Sequence, residues 1–152
     1  MQSPTNNLIP KILLIAVITL ALVGFADSTF LLAKRISGGP IPCVLGFTGC
    51  DTVSKSPYSV FLGIPLSAYG IVFYLAIGVL SLLYLDTKKV LVARLLVLAT
   101  ALGFLSSTYF IYIQKFKIGA FCIYCILSAF ISTILFGIGI AIQRKIKLPE
   151  TN

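Results

Sequence analysis

Residues 122–142 read CIYCILSAFISTILFGIGIAI, an apolar stretch without one charged side chain that opens on a C-x-x-C pair. A helix that crosses the hydrocarbon core of a bilayer needs about 20 such residues. The stretch therefore predicts a membrane-spanning helix with two thiols where it meets water. Working back along the chain, three further windows have the same character: 12–33, 64–85 and 90–113. Of the 152 residues, 59% are hydrophobic and 11% charged, against about 25% charged in soluble domains. The expected fold is all-α, an integral membrane four-helix bundle. One domain is expected over 1–152, with a long loop at 36–63 between the first and second helices.

A net charge of +8 in a soluble protein would suggest nucleic acid. Here Lys11, Lys34, Arg35, Lys88, Lys89, Lys115, Lys117, Arg144, Lys145 and Lys147 stand at the ends of the windows. That distribution fits long side chains reaching up to lipid headgroups rather than a basic patch on one soluble face. Membrane lipid is the expected partner, and nucleic acid is not. The chain has no histidine, which removes imidazole as general base and as metal or haem ligand. Acid–base work is left to thiols, tyrosines, hydroxyls and four carboxylates, Asp27, Asp51, Asp86 and Glu150.

Residues 1–10 are polar and read as a frayed end. A signal peptide competes for the first window, but apolarity resumes at Phe30–Ala33, long enough to span, and a retained helix is preferred. In the loop, Ser37-Gly38-Gly39-Pro40-Ile41-Pro42 is turn chemistry that no helix tolerates. A short surface helix is expected from Cys50 until Ser56-Pro57 ends it, and the tract 58–62 is expected to pack onto the bundle. Asp86-Thr87-Lys88-Lys89 and residues 114–121 make tight connections between later helices. Ala99, Gly103 and Ser107 form a stripe of small residues on the third, suited to close helix approach in lipid. Asp27, the one carboxylate inside an expected span, is a functional candidate by that position, but it lies a turn or two from Lys34 and is read in preference as a paired interfacial charge. Basic residues are mildly in excess on the side of the termini and the Lys88–Lys89 turn, which places both termini in the cytoplasm. All four cysteines then fall on the extracytoplasmic side of a cell membrane, where disulfides persist.

The cysteines carry the chemistry. Cys122 and Cys125, at i and i+3 of a helix, share a face and can bridge. A thiol in a first helical turn meets free N–H groups and the positive end of the helix dipole, which favour thiolate. Cys122 is expected to be the more exposed and Cys125 to lie a turn deeper. Cys43 and Cys50, with Gly46 and Gly49 between them, close a small flexible ring able to exchange with both an outside thiol and the Cys122 site. Two static disulfides, or a Cys₄ zinc site, would use the same residues. No metal is expected.

The tract Gly49–Tyr58, followed by Phe61-Leu62-Gly63-Ile64-Pro65, and the segment Phe121–Ser128 around the C-x-x-C resemble the vitamin K epoxide reductase family in its bacterial and archaeal form. The order and spacing of all four cysteines agree. DsbB-type proteins use a similar relay but carry their C-x-x-C in the first external loop. The resemblance implies a path: a thioredoxin-like or DsbA-like partner reduces the loop disulfide at Cys43, Cys50 exchanges with Cys122, and Cys125 reduces a quinone of menaquinone, ubiquinone or vitamin K type. Ser56 matches a family hydroxyl near the active site. Leu62, Leu66, Phe110, Tyr124 and Ala129 are expected to line the quinone pocket. Many bacterial members continue into a thioredoxin-like domain, whereas this sequence ends at Asn152, so the partner is expected in trans. Animal members carry tyrosine four residues beyond the C-x-x-C, where this chain has Ala129. That favours quinone reduction over epoxide reduction, which stands as the alternative.

Overall fold

The computed structural model describes residues 5–44 and 46–147, with side chains from Lys11 to Arg144. Glu150 and Asn152 fall outside it. Helix α1 spans Thr5–Ser37, α2 Cys50–Lys55, α3 Leu66–Thr87, α4 Val90–Ile113 and α5 Ile123–Lys147. Four of these, all but α2, are long and apolar enough to cross a membrane. Only 33% of the apolar window of α1, and 17% of that of α3, is buried inside the bundle. The rest presents leucine, isoleucine and valine outward, which lipid accepts and water does not. The protein is an all-α membrane bundle.

Element ends differ from the expectation in ways that matter for the site. Helix α1 reaches back to Thr5, so the stretch read as frayed is helical from that residue. At its other end it runs on through Lys34 and Arg35 to Ser37, because a basic last turn complements the helix dipole. Helix α3 starts at Leu66 rather than 64, since Ile64-Pro65 pairs instead with Val60-Phe61 in a two-stranded hairpin, β1 (Val60–Phe61) and β2 (Ile64–Pro65). Its turn residues Leu62 and Gly63 both have positive φ, 52° and 80°, the geometry that suits the twist of a two-residue hairpin.

Helix α1 lies along α3 and α4 along α5, the two most extensive pairings. Gly24 admits the Tyr74 ring and Gly70 admits Ser28, so α1 and α3 nearly touch. Gly139 leaves room for Thr100 Oγ1, which a Cβ would approach to 2.9 Å. The core between these pairs is Leu14, Val17, Ala21, Tyr74, Ile77, Leu96, Ile131 and Leu135. The stripe Ala99–Gly103–Ser107 behaves differently from the expectation. Gly103 takes up the Phe73 ring of α3, and with Ser107 it borders a cavity rather than a backbone contact. Towards that end of the bundle α3 and α4 therefore part.

Candidate thiol–disulfide site

Cys43 and Cys50 are joined by a disulfide with a Cα–Cα distance of 5.7 Å. The backbone N–H of Cys50 donates to Cys43 Sγ at 3.0 Å, closing the ring where α2 begins. Cys50 is fully buried; Cys43 is only partly covered. Cys122 and Cys125 are free thiols. Ile41, Cys50, Val53 and Cys122 form one buried cluster, with Cys43, Tyr124 and Cys125 packed against it. The structure thus brings all four sulfurs into one neighbourhood.

Glycine makes that approach possible. A Cβ on Gly49 would stand 2.8 Å from Ala120 Cβ and from the N and O atoms of Phe121, so the loop lies directly on the segment that leads into Cys122. Tyr124 Oη donates to Pro42 O at 2.9 Å, and its ring packs on Phe30 at 5.2 Å between centroids. This covering corrects one expectation. Cys122 is 1% exposed, more hidden than Cys125, because the loop ring sits on it. Cys125 is partly open, toward the cavity that it lines.

How Cys122 is held follows from the turn before it. Helix α4 ends in a π-helical turn, Gln114–Ile118, closed by a Gly119 N–H to Gln114 O bond of 2.9 Å. Such turns are rare and recur at functional sites. This one brings the buried Gln114 side chain back, and its Oε1 accepts the Cys122 N–H at 3.0 Å. Helix α5 starts at Ile123, so Cys122 caps it rather than sitting in its first turn. The Cys125 thiol and the N–H groups of Cys125 and Tyr124 donate toward the Cys122 sulfur and hold its pKa below the usual thiol range, although burial and the nearby Asp27 charge push the other way. The thiolate, the reactive form, is favoured there.

Beside the thiols lies a cavity of about 540 Å³. Its wall is apolar at Leu66, Phe73, Leu102 and Phe110 and carries hydroxyls from Ser28, Ser106, Ser128 and Tyr74. Tyr74 Oη is 2.7 Å from Ser128 Oγ. Among the expected lining residues, Leu66 and Phe110 are in the wall. Leu62, Tyr124 and Ala129 stand outside that wall. Leu62 occupies the hairpin turn, 82% exposed. Tyr124 is turned to the loop. Ala129 follows Ser128 by one residue, a rotation of about 100° that takes it off the face shared by Cys125, Ser128 and Ser132. From the tract 58–62, Tyr58 and Phe61 reach the wall, both of them partly open to the outside.

Ser56 also reaches the wall. Its Oγ donates to Val53 O at 2.8 Å, finishing α2. Two charged residues that the sequence assigned to the membrane surface border the cavity instead. Arg35, taken for a headgroup anchor, donates to Ser54 O and, at 2.7 Å, to Ser59 Oγ, strapping α2 and the turn after it to α1. Asp27, taken for one of a charge pair, has no basic partner; among the described residues the salt bridge found is Asp51–Lys55. It lines the cavity instead. The four-residue spacing of Asp27, Leu31 and Arg35, all in the wall, was the available signal. A Cys₄ zinc site would need two sulfurs that the loop disulfide consumes, and among the described residues no three of His, Cys, Asp or Glu are grouped to hold a metal.

The vitamin K epoxide reductase family model matches residues 15–140, from α1 to near the end of α5. The chain belongs to the vitamin K epoxide reductase family. It is also 32% identical over 132 residues to the thiol-disulfide oxidoreductase LTO1 of Arabidopsis thaliana. That match takes in 82% of this chain and 34% of the relative, so the chain spans about a third of that protein's length. Within the matched region the four cysteines form a closed loop disulfide resting on a reduced C-x-x-C pair.

Proposed function

We propose that this protein is a membrane thiol–quinone oxidoreductase that oxidises an extracytoplasmic thioredoxin-like partner and reduces a membrane quinone, supporting disulfide formation in exported proteins. The observation that carries this reading is the burial of Cys50 against Cys122 beneath a loop disulfide whose other sulfur, Cys43, is the accessible one. A reduced partner attacks Cys43, forming a mixed disulfide and releasing Cys50 as thiolate beside Cys122. The partner's second thiol then resolves the bond at Cys43. Two electrons have entered the loop. When Cys122 and Cys125 are bonded, Cys50 attacks Cys122, Cys125 leaves as thiolate, and Cys43 closes on Cys50. The outcome is an oxidised loop above a reduced pair, the arrangement described above.

The cavity suits a quinone ring: its volume lies in the range of small-molecule pockets, and hydroxyls punctuate an apolar wall. Once bound there, the quinone accepts the two electrons and two protons that Cys122 and Cys125 lose on forming their disulfide. Leu66 and Phe110 hold the ring by apolar contact, and hydroxyls such as Ser128 orient its oxygens. The mild excess of basic residues on the side of the termini and the Lys88–Lys89 turn supports cytoplasmic termini and cysteines facing the extracytoplasmic side. Anaerobic mixing of reduced protein with ubiquinone or menaquinone analogues tests the reading through quinone absorbance. Stoichiometric reduction that vanishes in Cys125→Ala is the expected result; undiminished reduction by Cys125→Ala overturns it.

A further inference from the structure

Asp27 lies within the α1 span, 8% exposed, and its Oδ2 atom is buried without a hydrogen-bond partner. An unpartnered carboxylate at membrane depth weakens a fold, and such groups mark proton or substrate paths. Packing gives no reason for it: an apolar residue would suit the core side and a serine the wall side. What surrounds it is chemistry. The cavity that it borders is also lined by Cys122, Cys125 and Tyr74, and its charge is near enough to act on Cys122. Gly70, abutting Ser28, seals α1 to α3 at its side. Asp27 therefore shares one cavity with the sulfurs while one of its carboxylate oxygens stays buried and unpartnered.

We propose that Asp27 carries the proton from the Cys125 thiol to the oxygen of the quinone accepted by this cavity; the inference rests on the quinone reading above. The pair starts as Cys122 thiolate and Cys125 thiol. Forming the S–S bond breaks the Cys125 S–H bond, and two electrons pass to the quinone. The Asp27 carboxylate takes that proton, gives it to one quinone oxygen and returns to its charged form. The second proton, released to water when Cys122 became a thiolate, returns from water to the other oxygen. The sum is one dithiol and one quinone in, one disulfide and one quinol out.

Asp27→Asn keeps the shape and removes the exchangeable proton, and relieves the buried charge, so it should fold at least as well as the parent. With a soluble menaquinone analogue, its kcat should fall about 10²–10⁴-fold, the range for a positioned acid–base group, with KM within a few-fold. Asp27→Glu should restore part of the rate. Attack of Cys122 on the loop disulfide, followed in a Cys125→Ala background, should not slow, since removing the Asp27 charge favours the Cys122 thiolate. A readout without turnover is the infrared difference spectrum between dithiol and disulfide forms, in which the Asp27 carboxylate band should shift as its sulfur neighbours change, a feature that Asp27→Asn removes. Asp27→Ser provides a second variant should the amide disturb packing. If Asp27→Asn reduces the analogue within threefold of the parent rate, or if it raises KM and slows loop exchange alike, the proton role is wrong. If the parent protein itself reduces no quinone, the underlying reading fails and this proposal with it.

Discussion

Replacing Gly49 by alanine isolates the geometry on which the relay depends. Gly49 has φ −91° and ψ 0°, a conformation open to alanine, so the effect is purely steric. The added Cβ would stand 2.8 Å from Ala120 Cβ and from two backbone atoms of Phe121. Ordinary contact begins near 3.4 Å, so the loop must lift by roughly 0.6 Å from the segment before Cys122. Backbone cannot yield as a flexible side chain would, and overpacking of this sort costs about 1–3 kcal/mol. Since a misplacement of 1 Å costs about 10²-fold in a reaction set by alignment, attack of Cys122 on Cys50 should slow roughly 10–100-fold. In a Cys125→Ala background the Cys122 thiolate attacks the loop disulfide, and the freed Cys43 thiol is counted after acid quench and alkylation. Attack by a soluble dithiol on the more accessible Cys43 serves as control and should stay within about threefold, being set by access rather than by this alignment. Exchange in folded Gly49→Ala within twofold of the glycine rate would refute the reasoning.

Two more outcomes follow from the site. Alkylation of Cys122 by iodoacetamide should titrate with a midpoint below the roughly 8.5 of an ordinary thiol. Because the folded pKa is the lowered one, the thiolate's contribution to stability is complete above the unfolded value and disappears as pH falls through the folded value. Cys125→Ala removes the foremost donor, so the midpoint should rise; an unmoved midpoint contradicts that cause. In the cavity, Leu66→Ser should raise the KM for quinone about 5–30-fold, the worth of 1–2 kcal/mol of buried apolar contact, whereas Leu62→Ser should leave it unchanged. Equal effects on quinone kinetics would contradict the placement of the two leucines.

Much of the fold was legible because lipid imposes a simple rule: about 20 apolar residues per crossing, with turns where charge and glycine gather. The short helix at Cys50 and its stop at Ser56-Pro57 were legible for local reasons as well. The hairpin was missed because Leu62-Gly63 lacks the usual Asn-Gly signal, and an apolar turn beside a membrane window reads as helix. In the site, the cysteines announced themselves, but the cavity wall did not. Tyr124 and Ala129 were expected as apolar residues near the outer half of the bundle, whereas the wall follows helical period through Cys125, Ser128 and Ser132. Asp27 and Arg35 were read by the average behaviour of charges near membrane surfaces. Their roles come from tertiary partners, a cavity for one and Ser54 and Ser59 for the other; the four-residue spacing from Asp27 through Leu31 to Arg35 puts them on one helix face but does not say what that face meets.

The most direct measurement uses a Cys43→Ala/Cys125→Ala chain, which keeps only Cys50 and Cys122. Mild oxidation in detergent or bilayer, followed by digestion and mass spectrometry, reads whether those two sulfurs join. Rapid and nearly complete formation of a Cys50–Cys122 bond within one chain is the predicted result. Persistent free thiols at both positions, or bonds formed only between chains, would contradict the account.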